Sequence, residues 1–239
     1  MNIITICRRE LATFFDSLMA YIIMVVFLGL SGFFTWMFGS DIFFVGQANL
    51  SVFFNIAFWT LFFFIPAITM RTIAEERRSG TLELLVTKPL SDFEIITGKW
   101  LACLLLIVFM LVLTFPYYIT VASLGNIDHG AVFSGYLALI LISCIYISIG
   151  IFSSSLTDNQ IVAFILSLSV AFVFHILFDV FASIMPGSLA QISSYMSVNQ
   201  HFQQMSRGVV AIENLIYLFS ITLIGLVMAT MSLRRRLWI

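Results

Sequence analysis

Long, continuously apolar runs alternate with short polar segments along most of the chain. A helix needs about 20 apolar residues to cross the roughly 30 Å hydrocarbon core of a bilayer, and the runs have that length. Strands of a membrane β-barrel would instead alternate apolar and polar residues. The pattern therefore predicts an all-α integral membrane protein with six transmembrane helices, at residues 18–39, 51–71, 99–123, 132–153, 160–182 and 214–233.

The N-terminal segment, residues 1–17, has a different periodicity. Apolar residues recur at helical spacing on one face, while threonines and charged residues occupy the other, as in a helix that lies along a membrane surface. The apolar face comprises Ile4, Cys7, Leu11, Phe14 and Leu18, and the polar face comprises Thr5, Arg9, Thr13 and Asp16. We expect an interfacial helix here; the alternative is a frayed N-terminal tail.

A long charged loop, residues 72–98, separates the second and third apolar runs. Its first part is dense in both signs of charge, and Gly80 then permits a turn. A short helix follows and ends at Pro89, because the residue before a proline is disfavoured in the helical region. Charge concentrated in one loop of an otherwise apolar chain suggests a surface on which another protein docks.

The third helix carries a clear start signal. Ser91 is a favourable N-cap, and Glu94 lies three residues later, which is the arrangement of a capping box. Lys99 and Trp100 follow at the point where the apolar run begins. Both residue types are common at the lipid headgroup level, where we expect them.

Another segment, residues 183–213, is too apolar for a freely exposed loop. Pro186 and Gly187 interrupt the fifth helix, and a second capping box begins at Ser197. Gly208 can end the helix that Ser197 begins. We expect two short re-entrant helices that dip into the outer leaflet; the alternative is an ordinary surface loop.

Composition and charge agree with this topology. The chain is 61% hydrophobic and 10% charged, and its mean hydropathy is +1.09. Of the 11 Lys and Arg residues, all but Arg207 fall on one side of the predicted membrane. The positive-inside rule makes that side cytoplasmic and places both termini there. We therefore predict a multi-pass protein of a bacterial cytoplasmic (inner) membrane, in contact with membrane lipids.

The sequence offers little catalytic chemistry. It contains no G-x-x-x-x-G-K-[ST] nucleotide-binding motif and no G-x-S-x-G motif. The cysteines are far apart in sequence and form no metal or disulfide pattern. We predict that the chain is not an enzyme, that it binds no cofactor or metal, and that it does not bind nucleic acid.

One polar pair lies within an apolar span. His175 and Asp179 are four residues apart in the fifth run, which places them on the same face of a regular helix. Ionisable residues are costly inside a membrane and often mark a transport path or a proton relay. The alternative is a pair near the outer end of the helix that headgroups or water can reach.

Two stretches resemble those of a known family. Glu75 to Lys99 is similar to the pattern E-E-R-x-x-G-T-L-E-L-L-x-T-x-P-[LV]-S-x-x-E-I-I-x-G-K of ABC-2 type transporter permeases. The segment from Ser197 to Ser220 resembles the S-x-x-x-H-F-x-x-x-x-R-G-V-[IV] region of the same family. The short length and the lack of a large external domain look most like the gliding-motility-associated (GldF-type) permeases.

The resemblance implies the subunit of a larger machine. Residues 1–17 would be the connecting helix, and residues 72–90 would carry a coupling helix that docks on a cytoplasmic ABC ATPase. Two copies of that ATPase would hold ATP and Mg²⁺. The second permease would be a copy of this chain or a longer related permease. The docking candidates are Glu75, Glu76, Arg77, Arg78, Gly80, Thr81, Glu83 and Pro89.

Two functions follow from that assembly. The favoured one is ATP-driven transport, most simply export, with an external gate that includes His201, Arg207 and Gly208. The alternative is a mechanical or scaffolding subunit that transmits ATPase motion without moving a substrate, as the gliding subgroup suggests.

Overall fold

A computed structural model describes residues 3–37, 48–81 and 91–235, and across these ranges the regular secondary structure is helical. A π-helical turn, Val173–Leu177, lies within the predicted fifth span. The helices are α1 (Ile3–Asp16), α2 (Leu18–Trp36), α3 (Ser51–Thr69), α4 (Ala74–Arg78), α5 (Asp92–Val112), α6 (Phe115–Leu124), α7 (His129–Leu156), α8 (Gln160–Phe172), α9 (Phe178–Ile184), α10 (Ser188–Met196), α11 (Val198–Ser206) and α12 (Ile212–Arg235).

Within the described ranges, six helical stretches are long and apolar enough to cross a membrane. They confirm the predicted fold class of an all-α multi-pass membrane protein. The stretches are Leu18–Trp36, Ser51–Arg78, Asp92–Leu124, His129–Leu156, Gln160–Ile184 and Ile212–Arg234.

The third span begins as predicted but is not one regular helix. The Ser91 hydroxyl accepts a bond from the Glu94 backbone N–H at 3.3 Å, and the Ser91 backbone N–H donates to the Glu94 carboxylate at 2.9 Å. The predicted span 99–123 lies within the helical stretch Asp92–Leu124, in which a turn at residues 113–114 separates α5, which ends at Val112, from α6, which starts at Phe115. Pro116 explains the break, since a proline ring clashes with the carbonyl four residues earlier, here that of Val112.

The fourth span, α7, forms the centre of the bundle. It is buried along most of its length and packs against α3, α5, α8, α11 and α12. Small residues allow these helices to approach closely. A Cβ atom built on Gly150 would lie 2.0 Å from the Thr69 hydroxyl of α3, and one on Gly225 of α12 would lie 2.4 Å from the Ser148 hydroxyl of α7.

Two short helices, α10 and α11, occupy the segment between the fifth and sixth spans. The Ser197 hydroxyl accepts from the Gln200 N–H at 3.4 Å, which is one half of the expected capping box. Gly208 has φ +95° and follows the end of α11. Its N–H bonds to the Met205 carbonyl and the Val209 N–H bonds to the Gln204 carbonyl, the two bonds of a Schellman motif. Entry of these helices into the outer leaflet stays a prediction.

A candidate coupling site at the end of the second span

The segment at the end of the second span, residues 70–74, is bonded to the central helix α7 through one hydroxyl group. Ser154, near the end of α7, accepts from the N–H groups of Ile73 at 3.1 Å and Ala74 at 3.0 Å. The same hydroxyl donates to the Met70 carbonyl at 3.0 Å. Backbone groups at a helix start need such partners because they have none within the helix. Ser154 therefore fixes the position of α4 relative to α7.

An ion cluster, consisting of Arg9, Glu10, Glu76 and Lys99, joins α1, α4 and α5. The Lys99 ammonium, whose side chain is 0% exposed, lies 2.9 Å from Glu76 Oε1 and 3.1 Å from Glu10 Oε1. It also donates to the Thr72 carbonyl at 2.7 Å. Arg9 donates to Glu10 at 2.5 Å and to Glu76 at 3.0 Å. Opposite charges thus balance in a site that is largely shielded from water.

The cluster keeps Glu10 ionised in spite of its burial. Burial by itself raises the pKa of this carboxyl group, but the Lys99 ammonium and the Arg9 guanidinium outweigh burial and lower the pKa below its ordinary value. One turn earlier on the same face, burial and then the charge of Glu10 raise the pKa of the Cys7 thiol. Cys7 is therefore a poor nucleophile while α1 is docked.

Helix α1 packs very closely against α5. A Cβ atom on Gly98 would lie 2.8 Å from Ile6 side-chain carbons and 3.2 Å from the Ile3 carbonyl oxygen. The predicted apolar face of α1 is only partly covered by the rest of the protein. Ile4 is 72% exposed, whereas Glu10 is buried because its charge partner Lys99 lies beneath it.

Lys99 and Trp100 both bond to groups inside the protein, and their position at the lipid headgroup level stays a prediction. Lys99 is 1% exposed. The Trp100 indole N–H donates to the Cys144 carbonyl of α7 at 3.2 Å. Both side chains therefore connect helices.

The structure places some of the predicted docking residues in partly buried positions and others on the exposed surface. Glu75 bonds to Arg71 through both carboxylate oxygens. Glu76 belongs to the ion cluster, and the terminal nitrogens of Arg77 are buried, with no bonded acceptor among the described residues. The exposed members are Arg78, Gly80 and Thr81, together with Ser79. Glu83 and Pro89 lie outside the described residues.

Among the described residues, no hydrogen bond or ion pair joins His175 directly to Asp179, the predicted polar pair of the fifth span. The π-helical turn inserts between regular helices at His175. His175 Nδ1 lies 2.5 Å from the Tyr146 hydroxyl, and its ring stacks on Phe58 and Phe62. The Asp179 carboxylate instead accepts from the Asn199 side chain of α11 at 2.6 Å. His175 is 2% exposed, so its ring is shielded from water by the surrounding side chains.

The predicted gate residues also occupy different environments. His201 is buried, with Nδ1 2.7 Å from the Asn214 side-chain oxygen and Nε2 3.0 Å from the Tyr195 carbonyl. It stacks on the Tyr217 ring. Arg207 and Gly208 are exposed at the end of α11. His201 thus ties α10, α11 and α12 together.

Sequence reasoning missed the roles of Glu10, Lys99 and Ser154. Lys99 did carry a signal, since a lysine at the start of an apolar span either reaches the lipid headgroups or pairs with an acceptor inside the protein. The partner could not be identified from the pattern, because Glu10 is 89 residues away. Ser154 lies in a run of serines that reads as an ordinary polar turn.

Comparison with known protein families identifies the family to which this chain belongs. The sequence matches the family described as ABC-2 family transporter protein over residues 39–236, which is most of its length. A comparison with curated proteins finds no match. The matched region contains helices α3 to α12 and two members of the ion cluster, Glu76 and Lys99. The chain belongs to the ABC-2 family of transporter membrane components.

Proposed function

We propose that this chain is the permease subunit of an ATP-driven ABC-2 exporter, and that a separate cytoplasmic ATPase docks on α4 and the loop that follows it. ATP and Mg²⁺ are held by the ATPase, which is present in two copies. The permease works with a second permease, either another copy of this chain or a longer relative. In this arrangement the ion cluster lies on the cytoplasmic side, together with both termini.

The observation that carries the proposal is the connection of α4 to the rest of the bundle. The Lys99 ammonium bonds to Glu76 and Thr72 and also to Glu10. The Ser154 hydroxyl joins the same segment to α7. A displacement of α4 is therefore transmitted to α1, α5 and α7 through short polar contacts, which packed elements convert into discrete rearrangements.

The exposed end of α4 offers the contact surface. Arg78 and the turn at Gly80 face outward, whereas Glu76 is engaged inside the protein. Charged groups at such a surface set orientation and specificity more than affinity. Arg78 is therefore a better probe of docking than Glu76, because its replacement leaves the ion cluster intact.

The docking test uses Arg78→Glu, with Arg234→Glu as the matched control on another exposed arginine of the same end. Arg78→Glu should reduce recovery of the co-expressed ATPase with the permease by roughly tenfold, as loss and reversal of one interfacial charge predict. Arg234→Glu should not. Equal recovery with both variants contradicts docking at α4.

The coupling test uses Lys99→Met in proteoliposomes. This variant should retain the ATPase but lose the permease-dependent part of ATP hydrolysis, because α4 then moves without α1 and α5. Hydrolysis equal to that of the wild type contradicts transmission through the cluster. Flux of candidate cargo, measured in the same vesicles, distinguishes an exporter from a subunit that transmits motion only.

A further inference from the structure

A cavity of about 320 Å³ lies between α1, the start of α2 and the end of α3. Its inner wall is apolar and is formed by Phe14, Ala20, Ile23, Ile68 and Leu106. Its rim carries Arg71 and Glu75 and the hydroxyl groups of Thr13 and Ser17, and the ion-cluster residues Arg9, Glu10 and Glu76 also line it. An apolar wall with a few charged groups at one edge is the composition of a site for an amphiphilic ligand.

The position of the cavity in the fold points to a membrane lipid. Ala20 and Ile23 belong to the first turns of the first span, and Ile68 belongs to the last turn of the second. The ends of membrane spans lie near the lipid headgroups. A cavity between the ends of two spans therefore meets the bilayer where phosphate and ammonium groups give way to acyl chains.

The rim presents opposite charges side by side. Arg71 uses Nε and Nη2 to bond Glu75, at 2.8 and 3.2 Å, while its Nη1 lies 3.3 Å from the thioether sulfur of Met19. A thioether is a weak acceptor, so Nη1 retains the capacity to bind a phosphate oxygen. The Glu75 side chain is 46% exposed and each of its oxygens retains a lone pair for an ammonium donor.

We propose that this cavity binds one membrane phospholipid with a zwitterionic, primary-amine headgroup. Its phosphate bonds Arg71, its ammonium bonds Glu75, and its glycerol region rests on the apolar wall. The occupied site bridges α1, α2 and the segment that carries α4, so the lipid contacts two of the elements that the ion cluster joins, α1 and the α4 segment.

The charge balance selects this headgroup over other lipids. The lining residues Arg9 and Arg71, with Lys99 behind them, offset Glu10, Glu75 and Glu76. An anionic headgroup would add a negative charge to a balanced site. A choline headgroup is zwitterionic but has no N–H group with which to donate to Glu75.

The experiment is competition between lipids for the purified permease without any ATPase. The protein is exposed to equal amounts of dioleoyl phosphatidylethanolamine, phosphatidylcholine and phosphatidylglycerol, and retained lipid is counted by native mass spectrometry. Phosphatidylethanolamine should be retained roughly tenfold more than either competitor, as a charge-assisted hydrogen bond predicts. Equal retention of the three lipids, or preference for phosphatidylglycerol, overturns the proposal.

Variants then assign the retained lipid to the cavity. Glu75→Gln should abolish the preference for phosphatidylethanolamine over phosphatidylcholine, and Arg71→Gln should lower the retention of both. Thr13→Trp, which fills the rim from an exposed position, should exclude lipid without altering either charge. Arg234→Gln is the control, because Arg234 is 74% exposed and neither it nor its partner Asp92 lines the cavity. If these variants all retain lipid as the control does, the site is elsewhere.

The lipid site and the proposed function can fail independently. Lipid retention is measured on the permease alone, whereas docking and coupling are measured with the ATPase. A negative result for lipid retention therefore leaves the docking and coupling results interpretable, and the reverse also holds.

Discussion

At the scale of single residues, the ammonium group of Lys99 connects distant parts of the chain. It is enclosed by Glu10, Glu76 and the Thr72 carbonyl, which come from different elements. An enclosed charge is tolerated when partners compensate it, and it becomes costly when one partner is lost. Removal of the ammonium would leave the Glu10 and Glu76 carboxylates adjacent, with Arg9 as their described counter-charge.

Lys99→Met should release α1 from α5. Loss of one partner of a buried ion pair costs roughly 3–5 kcal/mol, which raises the undocked population about a hundredfold or more. Cys7 reports the release, because it is buried on the docked face of α1. We expect a proportionate increase in its labelling rate when Cys103 and Cys144 have been replaced.

The control for this measurement is Arg234→Met. Arg234 is 74% exposed and lies 3.4 Å from Asp92, so its loss removes an ion pair whose cation is largely in water. Such pairs contribute about 0–1 kcal/mol, and Cys7 labelling should stay near the wild-type rate. Similar rates in Lys99→Met and Arg234→Met would show that the cluster does not hold α1.

Lowering the pH should release α1 from α5. The pKa of Glu10 is lowered in the folded protein, so its contribution to docking is complete above the ordinary carboxyl value of about 4.3 and is lost as the pH falls through the lowered value. With a thiol reagent that reacts in acid, Cys7 labelling should stay slow from neutral pH to about pH 5 and rise only below about 4.3.

Glu10→Gln provides the comparison for the acid titration. Its side chain is neutral at every pH, so labelling should start faster than in the wild type and should rise less in acid. An equal acid-dependent rise in both proteins would assign the transition to another group.

The sequence predicted that Lys99 lies at the start of the third span, but not which groups surround its side chain. Its place at the start of an apolar run is equally compatible with a side chain that reaches lipid headgroups and with one that is buried against a partner. The difference is decided by Gly98, whose missing side chain lets α1 approach closely enough to cover Lys99. That approach is a property of two helices, so it could not be read from either one.

At the scale of elements, the contact between α1 and α5 depends on Gly98. A Cβ atom there would meet Ile6 side-chain carbons at 2.8 Å. Overpacking of this kind costs roughly 1–3 kcal/mol, so Gly98→Ala should increase Cys7 labelling by about tenfold.

Gly29→Ala is the matched control for Gly98→Ala. A Cβ atom at Gly29 in α2 has no neighbouring atom within 4 Å among the described residues. Alanine favours a helix over glycine by roughly 0.5–1 kcal/mol, so the control should be as stable as the wild type or more stable. A similar effect of both variants would point to helix propensity instead of the α1–α5 contact.

The end of α11 depends on a left-handed residue. Gly208 has φ +95°, which a β-branched side chain resists. Gly208→Val should therefore lower the thermal unfolding midpoint by a few degrees, corresponding to about 1–3 kcal/mol, and Gly208→Asn should lower it less. Equal midpoints for Val and Asn would show that the backbone conformation at this position carries no cost.

The elements themselves were largely predictable, because span length is set by bilayer thickness. Ser91 and Glu94 marked the start of α5 through local hydrogen bonds, which depend on neighbouring residues alone. The break before Pro116 had a local signal that the hydropathy pattern obscured. The π-helical turn at His175 had none, since it reflects packing against Tyr146, Phe58 and Phe62.

At the scale of the whole molecule, the arrangement of spans can be tested by chemical labelling. Ser79, Asn126 and Ser188 are exposed, and Ser79 lies at the opposite end of the bundle from the other two. In a background without Cys7, Cys103 and Cys144, cysteines at positions 126 and 188 should react with an impermeant maleimide in intact cells. A cysteine at position 79 should react only after the membrane is opened.

Position 126 is a better site for the introduced cysteine than Gly125, because a Cβ atom at Gly125 would lie 2.8 Å from the Cβ atom of Ala48. Labelling of Ser79→Cys in intact cells would reverse the orientation inferred from Lys and Arg placement.

The separation of the cluster residues along the chain also sets an order of assembly during synthesis. Arg9 lies 67 residues before Glu76, and Glu10 lies 89 residues before Lys99. The N-terminal helix therefore leaves the ribosome long before its permanent partners exist. An amphipathic helix can wait at the bilayer surface with its charges in water. It takes its final place only after the first two spans have been inserted and the third has begun, so the segment made first is among the last to be secured.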